Sequence, residues 1–334
     1  MYDMEVDRVV AEIKRRRAKR VLVQLPDGLR PLAFTLAETL ERETDAEIIL
    51  SGQSCYGACD LSLTQADTIM ADLIVHYGHS KMIETPDTPV IYVEARIDFP
   101  VQPLVDGLLP LIEGWRTVGL TTTVQHVHRL GDVGEALESA GKRCLVGRGG
   151  GATPHDGQVL GCDYASASSI SKEVDGYAFI GAGRFHPLGL AFSTGKPVAI
   201  ANPYLMSAEM LSEQEVMSLA KKRMAAITVA RNARRLGIVV SSKPGQYRLE
   251  TARSIRARLE EEGRAAVIIA LDEAGTLNLG NFSEVDAFIV TACPRIALDG
   301  VPDVAKPVLT IVEAQIMLGE ERWEDVWGSS YLKQ

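Results

Sequence analysis

The sequence predicts an α/β protein of three similar domains, each a mainly parallel sheet flanked by helices. Apolar runs rich in β-branched residues alternate with helix-like runs along all 334 residues. The same order recurs three times, because a Pro-Val pair opens a strand at Pro89, Pro197 and Pro307, about 110 residues apart. So long a period with only three copies indicates duplicated domains rather than a solenoid.

The first domain is predicted to span residues 1–104. Val6, Val9, Val10 and Ile13 follow a 3.6-residue period, which predicts an opening helix. Short apolar runs bounded by turn residues then predict strands, and a helix is expected after the first of them. The predicted strands are 21–25, 47–50, 72–76 and 88–94, and the predicted helix is 32–43.

The second and third domains, predicted at residues 105–210 and 211–334, repeat this order. Asp72, Asp175 and Asp286 each precede an apolar strand at the equivalent place in their domain. Strands are predicted at 117–124, 143–146, 237–240 and 266–271, and helices at 132–140, 213–235 and 248–262. The helix from residue 213 starts with the Ser-x-x-Glu pattern of a capping box.

Composition and charge narrow the classes of function. Hydrophobic residues make up 46% and charged residues 24% of the chain, and no apolar run reaches the roughly 18 residues of a membrane span. The first twenty residues are charged throughout and do not resemble a signal peptide, so we expect a cytoplasmic protein with no membrane partner. A net charge of -9 argues against direct binding of nucleic acid, which depends on basic residues.

One cysteine in each domain follows a strand, at the edge where α/β sheets bind ligands. Cys59 and Cys162 precede Asp72 and Asp175 by the same number of residues, and Cys293 follows the next strand of the third domain. If the domains surround a common axis, the three thiols converge there.

The chemistry of three converging thiols favours a metal site over a disulfide framework. Zinc is possible, but the paired C-x-x-C spacing of structural zinc sites is absent. A 4Fe-4S cluster with three thiolate ligands would leave one iron open to a substrate. Cys55 and Cys59 approach the CxxxCxxC pattern of radical S-adenosylmethionine enzymes, but Ser62 stands in the third place. Cys55 and Cys144 are therefore interpreted as buried thiols.

Other strand ends carry candidate small-molecule contacts. A Gly-rich turn lets backbone amides approach a ligand closely, although the turn from Gly181 lacks the third glycine of a dinucleotide fingerprint and is a weak sign of a Rossmann site. His76 and His79 are candidate substrate contacts, whereas His126 and His128 are expected on a strand as ordinary surface residues. The remaining candidates are Asp27, Gly28, Gly181, Gly183, His186, Lys243, Gln246 and Arg295.

Five separated motifs together resemble the archaeal diphthamide synthase family, over essentially the whole chain. They are YGACD around Cys59, LGCDYA around Cys162, GAGRFHPLG at 181–189, SSKPGQ at 241–246 and TACPRIALDG around Cys293. The resemblance implies an unconventional radical enzyme that binds S-adenosylmethionine and holds a 4Fe-4S cluster on the three cysteines of these motifs.

The reaction that this resemblance implies is the first step of diphthamide synthesis. The reduced cluster would cleave the bond between sulfur and the methionine γ-carbon, and the 3-amino-3-carboxypropyl radical would add to C2 of a histidine of elongation factor 2. Arg295 would pair with the methionine carboxylate through its planar fork, and the family implies a homodimer that needs an electron donor. Two alternatives stay open: a quinolinate synthase-like 4Fe-4S dehydratase, and a noncatalytic partner-binding subunit with the same fold.

Overall fold

The computed structural model describes residues 2–85, 87–326 and 328, and it shows three mainly parallel sheets flanked by helices. The elements around the first sheet are α1 (Val6–Arg16), β1 (Arg20–Gln24), α2 (Ala33–Glu43), β2 (Glu47–Leu50), α3 (Leu63–Thr68), β3 (Leu73–Tyr77) and β4 (Val90–Val93). The four strands are parallel in the order β2-β1-β3-β4. Val9 and Ile13 of α1 and Leu40 of α2 are buried in the core of this sheet, as the helical period of the first segment predicts.

The second sheet has five strands. Its elements are α4 (Val101–Leu108), β5 (Thr117–Thr122), α5 (Leu130–Ser139), β6 (Arg143–Leu145), α6 (Ala165–Ile170), β7 (Gly176–Ile180), α7 (Phe185–Thr194), β8 (Val198–Asn202) and β9 (Ser207–Met210). The order is β6-β5-β7-β8-β9, and the edge strand β9 runs antiparallel to β8.

The third sheet repeats the first, with parallel strands in a matching order. Its elements are α8 (Glu213–Ala230), β10 (Arg235–Ser241), α9 (Leu249–Glu261), β11 (Ala265–Leu271), α10 (Thr276–Gly280), β12 (Ala287–Val290), α11 (Arg295–Asp299), β13 (Val308–Leu309), α12 (Ile311–Met317) and α13 (Trp323–Val326). The order is β11-β10-β12-β13. Within the ranges that the structure describes, no helix is long and apolar enough to cross a lipid bilayer.

The same aspartate contact recurs in all three sheets. Each carboxylate of Asp72, Asp175 and Asp286 accepts hydrogen bonds, 2.7 to 2.9 Å long, from the two successive backbone amides at the start of the first strand of its sheet. These bonds are the main reason why the pKa of each carboxyl is lowered. The repeat seen in the sequence therefore extends to individual hydrogen bonds.

The helix α4 crosses the predicted boundary between residues 104 and 105. Its Leu104, Val105 and Leu108 are buried in the core of the second sheet, and the helix packs against α5, β8 and β9. Because a domain boundary should cut few contacts, we propose that the second domain begins at Val101.

The segment Val124–Arg129 differs from the strand predicted for it, because it forms a 3₁₀ turn. The turn buries His126, whose Nε2 lies 3.2 Å from the hydroxyl of Tyr204. The expectation that His126 is a surface residue is therefore wrong, while His128 is exposed.

Candidate metal centre and its cavity

Three thiols from the three sheets line one cavity of about 190 Å³. Cys59 lies in the loop between β2 and α3, Cys162 lies just before α6, and Cys293 lies between β12 and α11. Each loop follows the carboxyl end of a parallel strand, so the edge formed by the carboxyl ends of the strands faces the cavity in all three sheets. The structure thus brings together the three cysteines that the repeat singles out.

Burial shapes the chemistry of these thiols. It is the largest cause of a raised pKa in all three, and it raises the pKa of Cys162 to about 12 and that of Cys293 to about 11. Charge on neighbouring thiols adds to this effect, because a thiolate at Cys162 is opposed by thiolates at Cys293 and Cys59, and one at Cys293 is opposed by Cys59. Three thiolates can therefore coexist here only when a cationic group compensates them.

The three cavity sulfurs are not grouped as the ligands of a single zinc ion would be. Zinc with sulfur ligands at about 2.3 Å holds those sulfurs roughly 4 Å apart. Among the residues that the structure describes, the three metal-ligating side chains with atoms all within 4.8 Å of one another are Cys55, His76 and His79, not the three cavity cysteines. A 4Fe-4S cluster is held by cysteine thiolates, so the three thiols of the cavity are ligands of the right chemistry for one.

The third sheet holds the Cys59 loop through its own turn after β10. The backbone N–H of Gly245 donates to the carbonyl of Cys59 at 2.9 Å, and Nε2 of Gln246 donates to Cys59 Sγ at 3.3 Å. A Cβ at Gly245 would lie 2.5 Å from the Cα of Cys59. Glycine is thus needed for this approach, and hydrogen bonds to a ligand sulfur are one means of tuning a cluster.

Lys243 occupies an ion cluster between the first and third sheets, in which Lys243 and Asp60 are buried and Glu273 is exposed. Its Nζ lies 2.7 Å from carboxylate oxygens of both Asp60 and Glu273, and 5.0 Å from the ring centre of Tyr56. Burial opposes the charge, but the hydrogen bonds to the two carboxylates outweigh it and raise the pKa of Lys243. Lys243 is therefore already engaged by protein groups beside the cavity.

Arg295 and His186 lie on the cavity wall beside Phe185. The guanidinium of Arg295 lies 4.0 Å from the centre of the Phe185 ring and pairs with Asp299 at 2.9 Å. His186 stacks on Phe179, and burial, assisted by the charge of Arg295, lowers its pKa to about 4. A neutral imidazole and a half-exposed guanidinium thus share the wall with Cys162 and Cys293.

Besides Lys243, four candidate residues do not line this cavity. Asp27 and Gly28 begin an exposed 3₁₀ turn, in which Asp27 pairs with Arg30 at 3.2 Å. Gly181 and Gly183 form the turn before α7, and Gly183 has a φ of +81°, which favours glycine. The two glycines therefore position α7, which carries the cavity-lining residues, instead of lining the cavity themselves.

A second cavity, of about 230 Å³, adjoins the first at Cys293. Gln246, Arg295 and Tyr56 line both cavities. The second has a charged wall formed by Lys243, Asp272, Glu273 and Asp299.

Comparison with known proteins assigns a family to this arrangement. The family described as "Putative diphthamide synthesis protein" matches residues 25–328. The chain belongs to this family. A similar protein is the 2-(3-amino-3-carboxypropyl)histidine synthase of Pyrococcus horikoshii, which is 38% identical over 98% of this chain and 95% of its own. Subunit 1 of the human enzyme of that name is 31% identical over 97% of this chain and 73% of its own.

Solved structures of the diphthamide synthesis family share the fold. The crystal structure of Dph2 from Pyrococcus horikoshii covers 96% of this chain and 93% of its own, with a TM-score of 0.88 and 38% identity. A second crystal structure of that protein, with a 4Fe-4S cluster, covers 98% of this chain and 96% of its own at the same TM-score and 37% identity.

Several residues that line the thiol cavity are not among the site residues predicted from the sequence. Tyr56, Phe185, Gln125 and Gln158 all line it. Tyr56 and Phe185 lie beside Cys59 and His186 after strands β2 and β7, whereas Gln125 and Gln158 reach the His79 loop of the first sheet from the second domain. His79, one of the candidate substrate contacts, lines it as well. Cys55, which is buried and has its pKa raised to about 12 by burial, and Cys144 in β6 do not line it.

Proposed function

We propose that this chain transfers the 3-amino-3-carboxypropyl group of S-adenosylmethionine to C2 of a histidine of elongation factor 2, the first step of diphthamide synthesis. The observation that carries the proposal is the meeting of Cys59, Cys162 and Cys293 in one cavity of a chain that belongs to the diphthamide synthesis family. These three thiolates would hold a 4Fe-4S cluster. When bound, the cluster supplies the electron that separates the methionine γ-carbon from the sulfonium sulfur.

The side chains around the cavity suit the other parts of the cofactor. Arg295 presents a planar fork for the methionine carboxylate, which would share or replace the present pairing with Asp299. We place the nucleoside in the second cavity, where Asp272 and Glu273 offer acceptors for ribose hydroxyls, as acidic residues do in other nucleotide sites. In this scheme Gln246 orients Cys59, and Lys243 keeps the Asp60 loop against the third sheet.

We further propose a cytoplasmic homodimer that receives its electron from a separate donor protein, and three domains divided near residues 101 and 211. Membership in the diphthamide synthesis family favours this function over a quinolinate synthase-like dehydratase. A noncatalytic subunit with the same fold would not need all three cysteines, so iron binding and cofactor cleavage distinguish it from an enzyme.

The decisive experiment is anaerobic purification followed by iron and sulfide analysis. The wild type should be brown and carry about four irons per chain. Cys59→Ala, Cys162→Ala and Cys293→Ala should each lose most of this iron, because three thiolates are the proposed ligand set. Cys55→Ala and Cys144→Ala are the matched controls and should keep it. Full iron content in Cys162→Ala would contradict the three-ligand scheme.

Activity is tested on the same preparations. The reduced wild type, given S-adenosylmethionine and elongation factor 2, should release methylthioadenosine and add 3-amino-3-carboxypropyl to one histidine, seen as a mass shift of the modified peptide. A protein that binds iron but neither cleaves the cofactor nor modifies elongation factor 2 would refute the transferase activity while leaving the cluster site intact.

A further inference from the structure

The loop that carries His79 is fixed by the second domain. The backbone carbonyl of Gly78 accepts a 2.6 Å hydrogen bond from Nε2 of Gln125, and Ser80 Oγ accepts one of 3.0 Å from Nε2 of Gln158. Gly78 itself adopts a φ of +83°, and a Cβ there would lie 2.8 Å from Pro26. His79 therefore enters the thiol cavity from a loop whose neighbours on both sides are held in place.

The amide of Gln24 determines which nitrogen of His76 carries a proton. Nε2 of Gln24 donates to the carbonyl of Asp60 at 2.6 Å, and its Oε1 accepts from the backbone N–H of Ser62 at 3.2 Å. These two contacts set the orientation of the amide without reference to any histidine. Since Oε1 can only accept, Nδ1 of His76, 3.0 Å away, must donate to it.

This proton placement passes on to His79. With its proton on Nδ1, neutral His76 has a lone pair on Nε2, which must accept from Nδ1 of His79 at 2.9 Å. Burial lowers the pKa of both histidines, that of His79 to about 4, so both stay neutral at neutral pH. Neutral His79 then has an unprotonated Nε2.

An acceptor of this kind suits the ring that has to react. A neutral imidazole has one N–H, and that nitrogen is bonded to C2, so a hydrogen bond to it fixes where C2 lies. We propose that Nε2 of His79 accepts the imidazole N–H of the target histidine and thereby orients C2 in the cavity shared by Cys59, Cys162 and Cys293. This role rests on the proposed function and adds a substrate-positioning residue to it.

A metal ion is the competing occupant of the same group, because Cys55, His76 and His79 offer ligand atoms within 4.8 Å of one another. An ion bound to Nδ1 of His79 would have to replace the hydrogen bond between the two rings. The proposal therefore requires that the purified protein carry no second metal at this place.

Two substitutions separate the nitrogens of His79. His79→Asn keeps an amide near the place of Nδ1 and ends short of Nε2, whereas His79→Gln reaches the place of Nε2. The exposed His128, which contacts Asp98, is changed in the same two ways as the control. Each protein is assayed with iron analysis, methylthioadenosine release, and kcat and KM for the modification of elongation factor 2.

We expect His79→Asn to retain its iron. The amount of elongation factor 2 modified per methylthioadenosine released should fall about ten- to hundredfold, because a misplaced reacting ring costs this much. For the modification of elongation factor 2, the change should be mainly in kcat. His79→Gln should recover most of the loss. The proposal would be overturned if His79→Asn modified as much elongation factor 2 per methylthioadenosine as the wild type, or if its loss of modification followed its iron content. It would also be overturned if the wild type carried zinc or another second metal that is lost in Cys55→Ala.

The tautomer of His79 can be measured without an activity assay. The chain has six histidines, so ring-¹⁵N spectra of the full chain can be assigned with the His79 variants. We expect a protonated Nδ1 and an unprotonated Nε2 at His79, and the opposite tautomer would overturn the proposal. If the wild type cleaves the cofactor and never modifies elongation factor 2, the proposed function fails and this role of His79 fails with it, whatever the tautomer.

Discussion

At the scale of single residues, the cavity thiols are poor ligands until they lose their protons. Burial raises the pKa of Cys162 to about 12 and that of Cys293 to about 11, and it raises the pKa of Cys59 as well. At neutral pH all three are therefore protonated in the cluster-free chain, whereas a metal binds thiolates. Cluster assembly must then release protons, and its apparent affinity must rise with pH.

We accordingly predict that iron uptake by the cluster-free chain increases between pH 7 and pH 9. Both pH values lie below the raised thiol pKa values, so each proton released contributes up to about tenfold in affinity per pH unit. The measurement is iron bound at limiting iron and sulfide, with Cys293→Ala as the comparison, which should show lower uptake and a shallower pH dependence. Uptake that is independent of pH in the wild type would mean that the thiols already ionise at neutral pH.

At the scale of elements, an ion pair buried in the third domain connects α8 to α12. The Arg223 and Glu313 side chains are 3% and 0% exposed and lie 2.6 Å apart. Arg223 also donates to the carbonyls of Ala297 and Val308 at 2.6 Å, while Glu313 completes a capping box with Thr310. Each of these contacts either joins two elements or caps the start of α12. The pair therefore fixes the positions of α8 and α12 relative to β12, the strand that precedes Cys293.

Removing one partner of this pair should be costly. We predict that Glu313→Ala lowers the free energy of unfolding by about 3–5 kcal/mol, because it removes the carboxylate that pairs with a buried guanidinium. Urea unfolding followed by circular dichroism measures the change. Arg256→Ala, which breaks the exposed pair with Glu260 on α9, is the control and should cost under about 1 kcal/mol. An equal decrease in the free energy of unfolding in the two variants would show that the buried pair stabilises the protein no more than an exposed one.

The elements also show what local sequence patterns can and cannot predict. Apolar runs predict strands such as β1, β3 and β10, because a strand covered on both faces is apolar along its whole length. The helix predicted at 213–235 ends at Ala230, since Arg235 is required by its pairing with Ala265 in the sheet. Such tertiary pairing outweighs helix propensity, and no local pattern reports it.

At the scale of the whole molecule, the three ligand candidates were predictable and their surroundings were not. The repeat placed Cys59 and Cys162 at equivalent strand ends, and this equivalence is written in the sequence. The contacts of Gly245 with Cys59 and of Gln125 with Gly78 join different domains, so they exist only after the domains dock. Lys243 shows the same limit, because its strand-end position did not reveal the two carboxylates that surround it.

Docking of the third domain on the first should control the cluster more than it controls folding, and Gly245 tests this. In Gly245→Ala the new Cβ would lie 2.5 Å from Cys59 Cα, 2.7 Å from its Cβ and 2.9 Å from its carbonyl oxygen. Backbone cannot yield as a side-chain tip can, so the two loops must move apart, weakening the hydrogen bonds to the Cys59 carbonyl and sulfur.

We predict that Gly245→Ala loses at least half of its iron after anaerobic purification while its circular dichroism spectrum stays that of the wild type, because the clash lies between loops and not within a sheet. Gly52→Ala, in the same loop as Cys59 but with open space around its Cβ position, should keep its iron. If Gly245→Ala binds iron as well as Gly52→Ala does, the site tolerates displacement of the third domain, and the cluster must be held mainly by the loops that carry the cysteines.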